Sequence, residues 1–329
     1  MTPAGPRAER GAALLAVLVL VVIMSGIAVA AFEKLRVSTA LAINGASLDQ
    51  SRAFAVGVES LLALRVDDLV AESPEATLPG GWQGAPKRIA LPGGGEAEGR
   101  LLDGGNCFNI NSVAQGDTPT LLTARPLGIA EFANLMRVLG VAQSSAVEIA
   151  DSAADWVDAD SAPRPNGAED AAYASGDRPY RPANTLFAEV SELRAVAGMS
   201  PDIYQRIRPL LCALPTTDLS PLNLNTLRAD QAPLIAMLAP EAIGPGAARQ
   251  VIARRPPAGW TNISQFWQDP VMKPVSLPIE SQLQPKLSTR WFALDLTVRL
   301  RGAELAETAL IDARVAPARV VVRRWGPDE

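Results

Sequence analysis

The sequence contains no histidine, and this absence excludes a large part of enzyme chemistry. Without histidine, a Ser-His-Asp triad or a Cys-His pair cannot form, and most zinc sites lose their usual nitrogen ligand. The two cysteines, Cys107 and Cys212, are too few for an iron–sulfur centre or a disulfide-rich scaffold, although they could form one bridge. These absences therefore exclude the commonest nucleophile and zinc enzymes.

Positive charge and aromatic side chains are also scarce. Lys and Arg number 30 against 35 Asp and Glu, a formal charge of −5, whereas a general nucleic-acid-binding surface usually needs a basic face. Aromatic residues make up 5% of the chain and only three are tyrosines, so the composition offers no aromatic-rich sugar cleft around a catalytic carboxylate pair. The length of 329 residues allows a full core and predicts two or three structural units.

One apolar segment of membrane length lies near the amino terminus. In residues 12–31 only two residues are not plainly apolar, and twenty helical residues rise about 30 Å, enough to cross a bilayer. Arg7 and Arg10 precede this segment and predict a cytoplasmic amino terminus, with the bulk of the chain outside the cytoplasm. The "AVA" of residues 28–30 has the form of a signal-peptidase site, but the apolar run exceeds the usual hydrophobic region of a signal peptide.

The helical pattern continues beyond the apolar segment. No proline occurs between Pro6 and Pro74, and apolar residues recur at helical spacing as far as Val66, with charged residues between them. We therefore expect one helix from about Ala12 to Val70, ~90 Å long, with its first half in lipid and its second half amphipathic. An ordinary membrane anchor is the alternative for this segment taken alone.

Short strands are predicted on both sides of a helical middle region. Residues 87–91 and 97–103 are β candidates, and the alternation of "WFALDLTVRLR", "ELAETALIDARV" and "RVVVRRW" predicts a meander near the carboxyl terminus. The region between them contains one pattern twice: "CFNINSV" (107–113) and "PLNLNTL" (221–227) each precede a helical run. The fold class is therefore α+β, with a long amino-terminal helix on an antiparallel sheet and a large all-helical insert.

The repeat predicts two small helical modules of SAM-like or helix-hairpin-helix type. We align Trp156 of the first copy with Trp260 of the second. The spacing from Asn111 to Trp156 is 45 positions and that from Asn225 to Trp260 is 35, so the copies differ by ten. We assign this difference to the loop 114–128.

A turn in the second module raises the alternative of nucleic-acid binding. "AIGPGAARQVIARR" (242–255) looks like a helix-hairpin-helix turn, which offers backbone amides to phosphate in DNA-binding proteins. A membrane-anchored periplasmic DNA receptor is therefore the alternative function. Residues 221–269 carry four arginines against three acidic residues, however, and a net +1 is small for a protein that would bind by neutralising phosphates.

The densest cluster of charge lies in residues 151–177. It contains Arg164 and seven carboxylates, namely Asp151, Asp155, Asp158, Asp160, Glu169, Asp170 and Asp177. Three of the seven have the spacing of positions one, three and twelve of an EF-hand loop, but Ala162 and Pro163 stand where that loop needs a ligand and a glycine. The stretch is therefore not an EF-hand. As a metal site, its oxygen ligands favour calcium; a solvated loop and a catalytic carboxylate pair are the alternatives.

Two groups of motifs resemble a known family. "RGAALLAVLVLVVIMSGIAVAAF" (10–32) resembles a type IV pilin-like leader. The motifs "CFNIN", "DWVDADSAPRPNGAED", "YRPAN", "SELRAV", "LCALP" and "LNLNT" resemble the type II secretion minor pseudopilin K. The resemblance implies prepilin-peptidase cleavage between Gly11 and Ala12 and N-methylation of the new terminus. Ala16 occupies the fifth mature position, where most pilins have glutamate, and a subunit without that carboxylate suits the end of a filament.

The same resemblance implies a function, partners and a location. We expect a non-enzymatic tip subunit of the type II secretion pseudopilus, joined to minor pseudopilins I and J and assembled on an inner-membrane platform. It would cross the inner membrane once, keep its bulk in the periplasm and bind no nucleic acid. The family is known for calcium in this insert, so we expect one or two calcium ions at Asp155, Asp158, Asp160, Glu169, Asp170 and Asp177.

The predicted divisions of the chain follow from these patterns. They are a prepilin leader (1–11), the transmembrane (12–31) and periplasmic (32–70) parts of the helix, the first strands (71–105), a first helical module with the acidic loop (106–215), a second module (216–285) and the last strands (286–329). Cys107 and Cys212 flank the first module, and a bridge across about 100 residues would stabilise it by up to ~4.7 kcal/mol. We predict that bridge; two buried thiols or an intermolecular bridge are the alternatives.

Overall fold

A single long helix dominates the amino-terminal part of the chain. The computed structural model describes residues 6–72, 82–175 and 179–326. Helix α1 runs without interruption over Pro6–Glu72, 67 residues, which confirms the predicted continuous helix and extends it slightly past Val70. The described chain has one helix that is long and apolar enough to cross a membrane, and it is α1.

After α1, the chain forms two strands, then a region of helices and short strands, and then three long strands. The other helices are α2 (Pro126–Val138), α3 (Gln143–Val157), α4 (Asp170–Tyr173), α5 (Pro201–Ile207), α6 (Pro233–Ala236), α7 (Pro245–Ala253), α8 (Ile263–Trp267) and α9 (Ile279–Gln282). The strands are β1 (Lys87–Leu91), β2 (Gly95–Asp103), β3 (Phe108–Asn109), β4 (Ala114–Gln115), β5 (Thr123–Ala124), β6 (Leu211–Cys212), β7 (Leu222–Asn223), β8 (Pro285–Lys286), β9 (Trp291–Leu300), β10 (Ala303–Asp312) and β11 (Arg319–Trp325). Long strands therefore stand at both ends of a helical middle.

Five of the strands form one antiparallel sheet in the order β1-β2-β9-β10-β11. Strands β2 and β9 are neighbours in the sheet although the whole helical insert lies between them in sequence. Along β9, buried and more exposed residues alternate, because successive side chains of a strand point to opposite faces. The predicted α+β plan, with a sheet interrupted by a helical insert, is confirmed.

Helix α1 packs on one face of this sheet. Buried residues recur along it at intervals of three and four, namely Ala55, Val58, Leu62, Val66 and Leu69, as expected for one face of a helix. They share a core with Leu294, Leu296 and Val298 of β9. A Cβ on Gly99 would lie 3.0 Å from Leu62 Cδ1, so this glycine allows the helix to approach β2 closely.

Two buried glutamates and one arginine lie in the seam between α1 and the sheet. Glu59 of α1 and Glu307 of β10 have 4% and 0% of their side chains exposed. Arg323 of β11 binds Glu59 through two N–H groups, and its Nε lies 3.4 Å from Glu307 Oε1. Neither oxygen of Glu307 accepts a hydrogen bond from any described residue. The seam thus holds two carboxylates and one balancing cation.

The helical insert repeats one hydrogen-bonding unit. In the first copy, the Asn111 amide donates to the carbonyls of Phe187 and Leu214 and accepts from the Phe187 N–H. In the second copy, Asn225 makes the same three kinds of bond with Trp260 and Leu287. A short parallel strand pair, β3–β6 and then β7–β8, closes each unit. The internal repeat inferred from the two Asn-x-Asn motifs is therefore present in three dimensions.

The structure corrects the alignment within that repeat. Because Asn111 binds Phe187 and Asn225 binds Trp260, the counterpart of Trp260 is Phe187 and not Trp156. Between α3 and Phe187 lie 29 residues (158–186), against six (254–259) between α7 and Trp260, so most of the length difference lies after α3. A further difference of 12 residues precedes these two helices, in the part of the chain that includes the loop 114–128. A tryptophan at the end of a helical run does not mark equivalent positions in the two copies. The equivalent residues are those whose backbone groups bind the side chain of the asparagine. The acidic stretch is an insertion into the first unit.

Candidate metal centre

Three of the acidic residues come together beyond the end of α3. Asp158 follows the last residue of α3, Asp160 lies two residues further, and Glu169 directly precedes α4. Their carboxylates offer oxygen atoms that all lie within 4.8 Å of one another. Asp158 and Glu169 are buried, whereas Asp160 is exposed. The arrangement is an open cup of oxygen atoms on the insertion in the first helical unit.

The buried members of this group lack ordinary partners. Asp158 Oδ1 and both carboxylate oxygens of Glu169 accept no hydrogen bond from the described residues. Burial, followed by the neighbouring carboxylates, raises the pKa of Asp158 and of Glu169 to about 7. Buried polar groups in proteins are normally satisfied. These oxygen atoms therefore form a site at which a hard cation would supply the missing partner and offset the repulsion.

Two other predicted ligands, Asp155 and Asp170, do not belong to this group of three. The Asp155 carboxylate is fully buried and accepts from the backbone N–H of Arg164 (Oδ2, 3.1 Å); burial raises its pKa to about 6. Asp170 has 49% of its side chain exposed and lies 3.7 Å from Arg181 Nη1. Asp177 lies outside the described residues. The structure thus brings together three of the five predicted ligands that it describes, and it gives Asp155 a backbone partner.

An aromatic cluster supports the acidic loop, and sequence reasoning missed it. The Trp156 ring is parallel to the Phe187 ring with centroids 6.3 Å apart and meets the Tyr173 ring edge-on at 5.6 Å. Tyr180 packs on Tyr173 at 5.1 Å. Tyr173 and Tyr180 lie in the acidic insertion and Trp156 and Phe187 flank it, so the recurrence of aromatic residues across 156–187 was the available signal.

A disulfide closes the first helical unit. Cys107 and Cys212 are bonded, with their Cα atoms 5.7 Å apart and 105 residues between them in sequence. The bond lies beside the β3–β6 pair, where Asn109 is opposite Cys212. The predicted intramolecular bridge is present, in place of two free thiols or an intermolecular link.

The helix-hairpin-helix-like turn has its arginines engaged within the protein. Helix α7 begins at Pro245, directly after Gly244. Arg254 makes two hydrogen bonds to Asp269, of 2.6 and 2.7 Å, and Arg255 donates to the carbonyls of Leu224 and Leu227. Two of the arginines counted toward phosphate binding therefore stabilise the module itself.

The long helix, the antiparallel sheet and the insert define a pilin-like subunit, and its first helix is compatible with a single-pass membrane anchor. The family "Type II secretion system (T2SS), protein K" matches residues 106–216 and 222–290. Type II secretion system protein K of Pectobacterium carotovorum subsp. carotovorum and that of Klebsiella pneumoniae are each 32% identical to this chain, over 97% of both partners. The fold also resembles a chain of the GspK-GspI-GspJ complex from enterotoxigenic Escherichia coli, with a TM-score of 0.72, 28% identity and coverage of 85% of this chain and 97% of that one.

The chain belongs to the type II secretion system protein K family. It is a minor pseudopilin of type II secretion, as the sequence motifs implied. None of these similarities points to a DNA-binding receptor. The cleavage predicted between Gly11 and Ala12 lies within α1 and stays a prediction.

Proposed function

We propose that this chain is the tip subunit of a type II secretion pseudopilus and that it acts through assembly rather than catalysis. The observation that carries the proposal is its similarity, over 85% of its length, to a chain of the GspK-GspI-GspJ complex, because that complex joins pseudopilins to one another. A helical insert between β2 and β9 is too bulky to recur at each level of a filament. The end of the filament accommodates it and would support export of folded proteins.

Partners similar to GspI and GspJ would bind the side of α1 that the sheet leaves open. Leu61 and Leu64 lie in the part of α1 that packs on the sheet, yet they are 58% and 60% exposed. Val56, one turn earlier, is 38% exposed. Large apolar side chains on one side of a helix suit packing against another helix.

The partner proposal is tested by co-purification with the minor pseudopilins I and J of the same secretion system. Replacing Leu61 and Leu64 with glutamate should reduce the recovered complex at least tenfold, because charge would enter an apolar helix contact. Leu121→Glu is the matched control, since Leu121 is 67% exposed but lies on the helical insert. Undiminished recovery with the double variant would contradict this binding face.

The location proposed for the chain rests on α1. Its amino-terminal half would cross the inner membrane once, with the charged leader in the cytoplasm and the sheet and insert in the periplasm. A prepilin peptidase would cut after Gly11 and the inner-membrane assembly platform would incorporate the mature subunit. The Cys107–Cys212 disulfide is consistent with an oxidising compartment.

We also infer that Asp158, Asp160 and Glu169 bind calcium. The support is the set of buried oxygen atoms without described partners and the proximity of all three carboxylates. Oxygen ligands alone, in an irregular loop, suit calcium better than magnesium, which demands near-octahedral geometry. The ion would have a structural role: its charge of +2 would offset most of the repulsion among the three carboxylates, and it would join the end of α3 to the start of α4.

Calcium binding is tested by the thermal unfolding of the detergent-solubilised chain. An ion that binds only the folded state stabilises it by about 2.7 kcal/mol at a hundredfold excess over Kd. Chelation should therefore lower Tm, and calcium should restore it better than magnesium. The double variant Asp160→Asn/Glu169→Gln should lose this response, whereas Asp202→Asn, at an exposed position of α5, should keep it. A wild-type Tm that does not respond to millimolar calcium would refute the site.

A further inference from the structure

The turn at residues 164–167 is tied to the side of α3. Arg164 Nε donates to Asp151 Oδ1 (2.9 Å), and Asn166 Nδ2 donates to Asp151 Oδ2 (3.0 Å). One helical turn later, Asp155 Oδ2 accepts from the backbone N–H of Arg164 (3.1 Å). The backbone N–H of Asn166 adds a contact to Asp151 Oδ2 at 3.3 Å. We call Asp151, Asp155, Arg164 and Asn166 the turn clamp.

The turn clamp is tightly fitted. Its two acceptors, Asp151 and Asp155, are 5% and 0% exposed, so their bonds are protected from competing water. A Cβ on Gly167 would overlap Asp155 Oδ2. Glycine at this position therefore lets the turn approach α3 more closely than a residue with a side chain would.

The turn clamp lies between the two halves of the candidate metal centre. Asp158 is three residues beyond Asp155 and directly follows α3. Glu169 is two residues beyond Gly167, at the other end of the same loop. Asp160 occurs where the chain leaves the helix, and its Oδ1 accepts from the N–H of Ala162 at 2.8 Å. The position of the turn on α3 therefore sets the separation of Glu169 from Asp158.

We propose that the turn clamp positions the carboxylates of the metal centre before the ion binds; this inference rests on the proposed calcium binding. Asp158, Asp160 and Glu169 repel one another within 4.8 Å, and an untethered loop would let them separate in the ion-free protein. The clamp holds the turn on α3, so the free-energy cost of bringing these carboxylates together is met during folding. Less of this cost then opposes calcium binding. Groups that orient metal ligands typically contribute 10–100-fold to metal affinity.

Positioning and simple electrostatics predict opposite changes in calcium affinity for one substitution. Arg164→Gln removes a positive charge near a cation site, and charge alone would make calcium bind more tightly. It also removes the Arg164 Nε bond to Asp151, so positioning predicts about tenfold weaker binding or more. Affinity is measured by isothermal titration of the detergent-solubilised full chain with calcium. Arg181→Gln is the matched control, because Arg181 carries the same charge in the same insertion (158–186) but lies outside the turn clamp.

A neutral substitution gives a second, independent readout. Asn166→Ala changes no charge and removes the bond from the Asn166 side chain to Asp151. Positioning predicts a calcium affinity at least several-fold below that of the wild type, because the turn would be held less firmly in the ion-free protein. A purely structural role would instead lower the Tm of the ion-free protein and leave Kd unchanged.

The outcomes distinguish this inference from the proposal on which it rests. Wild type that binds no calcium refutes the metal site, and the positioning role with it. Wild type that binds calcium while Arg164→Gln and Asn166→Ala bind it equally well or more tightly refutes positioning alone. Weaker binding by both variants, with Arg181→Gln at or above wild-type affinity, supports the turn clamp.

Discussion

The buried Glu59–Arg323–Glu307 seam makes the stability of the helix–sheet core depend on pH. One arginine cannot balance two carboxylates that are both almost completely buried. Burial, followed by the adjacent Glu59, raises the pKa of Glu307 to about 8. Burial also acts to raise the pKa of Glu59, but the hydrogen bonds and positive charge of Arg323 hold that pKa below its usual value. At neutral pH we therefore expect a protonated Glu307 beside an ionised Glu59.

The sign of the effect follows from proton binding. Between the ordinary glutamate pKa of 4.5 and about 8, the folded protein holds a proton on Glu307 that the unfolded chain releases. The stability contributed by this proton is fully present below pH 4.5 and is lost as pH rises toward 8. One proton corresponds to about 1.4 kcal/mol per pH unit, so the loss between pH 5.5 and 7.5 is about 2–3 kcal/mol.

Glu307→Gln should remove this dependence, because a neutral amide of the same shape does not titrate. The free energy of unfolding of the variant, minus that of the wild type, should rise by about 2–3 kcal/mol from pH 5.5 to pH 7.5. Urea unfolding of the detergent-solubilised chain, in excess calcium and followed by tryptophan fluorescence, measures this difference. Glu304→Gln on the same strand is the control, because Glu304 is 61% exposed and its ion pair with Arg299 contributes little.

Two results would refute the reasoning. Parallel pH profiles for wild type and Glu307→Gln would show that Glu307 does not hold the extra proton. A small effect of Arg323→Met would show that the seam is not desolvated, since the removal of one partner from a buried pair normally costs about 3–5 kcal/mol.

Three further predictions concern the insert and the leader. Replacing Cys107 and Cys212 with serine should destabilise the first helical unit by up to ~4.7 kcal/mol, because the bridge spans 105 residues. Urea unfolding measures this loss, and an unchanged unfolding midpoint would contradict the prediction. Asn111→Leu should cost about 1–3 kcal/mol or more by the same assay, because buried backbone groups lose their partner. Amino-terminal sequencing of the mature protein should begin at Ala12; a start at Ala31 would instead show signal-peptidase cleavage.

Local patterns were enough to predict the main elements. An apolar run without proline predicts α1, since helix propensity and membrane length are properties of consecutive residues. Alternating residues predict β9, β10 and β11 for the same reason. Asp158, Asp160 and Glu169 could be selected from spacing and residue type, and they do meet.

Contacts between distant parts of the chain required the tertiary structure. Glu59 and Arg323 are 264 residues apart in sequence. The helical period of α1 places Glu59 on the face of the buried apolar residues, but it does not show that an arginine of the sheet lies opposite. Phe187 rather than Trp156 is the counterpart of Trp260, because the partner of a buried asparagine depends on how the chain returns to it. Sequence spacing identified the acidic residues. Only the folded loop shows that Asp155 accepts from a backbone N–H, and that Asp158 Oδ1 and both Glu169 oxygens accept no hydrogen bond from the described residues. Hydrogen bonding depends on positions in space and not along the chain.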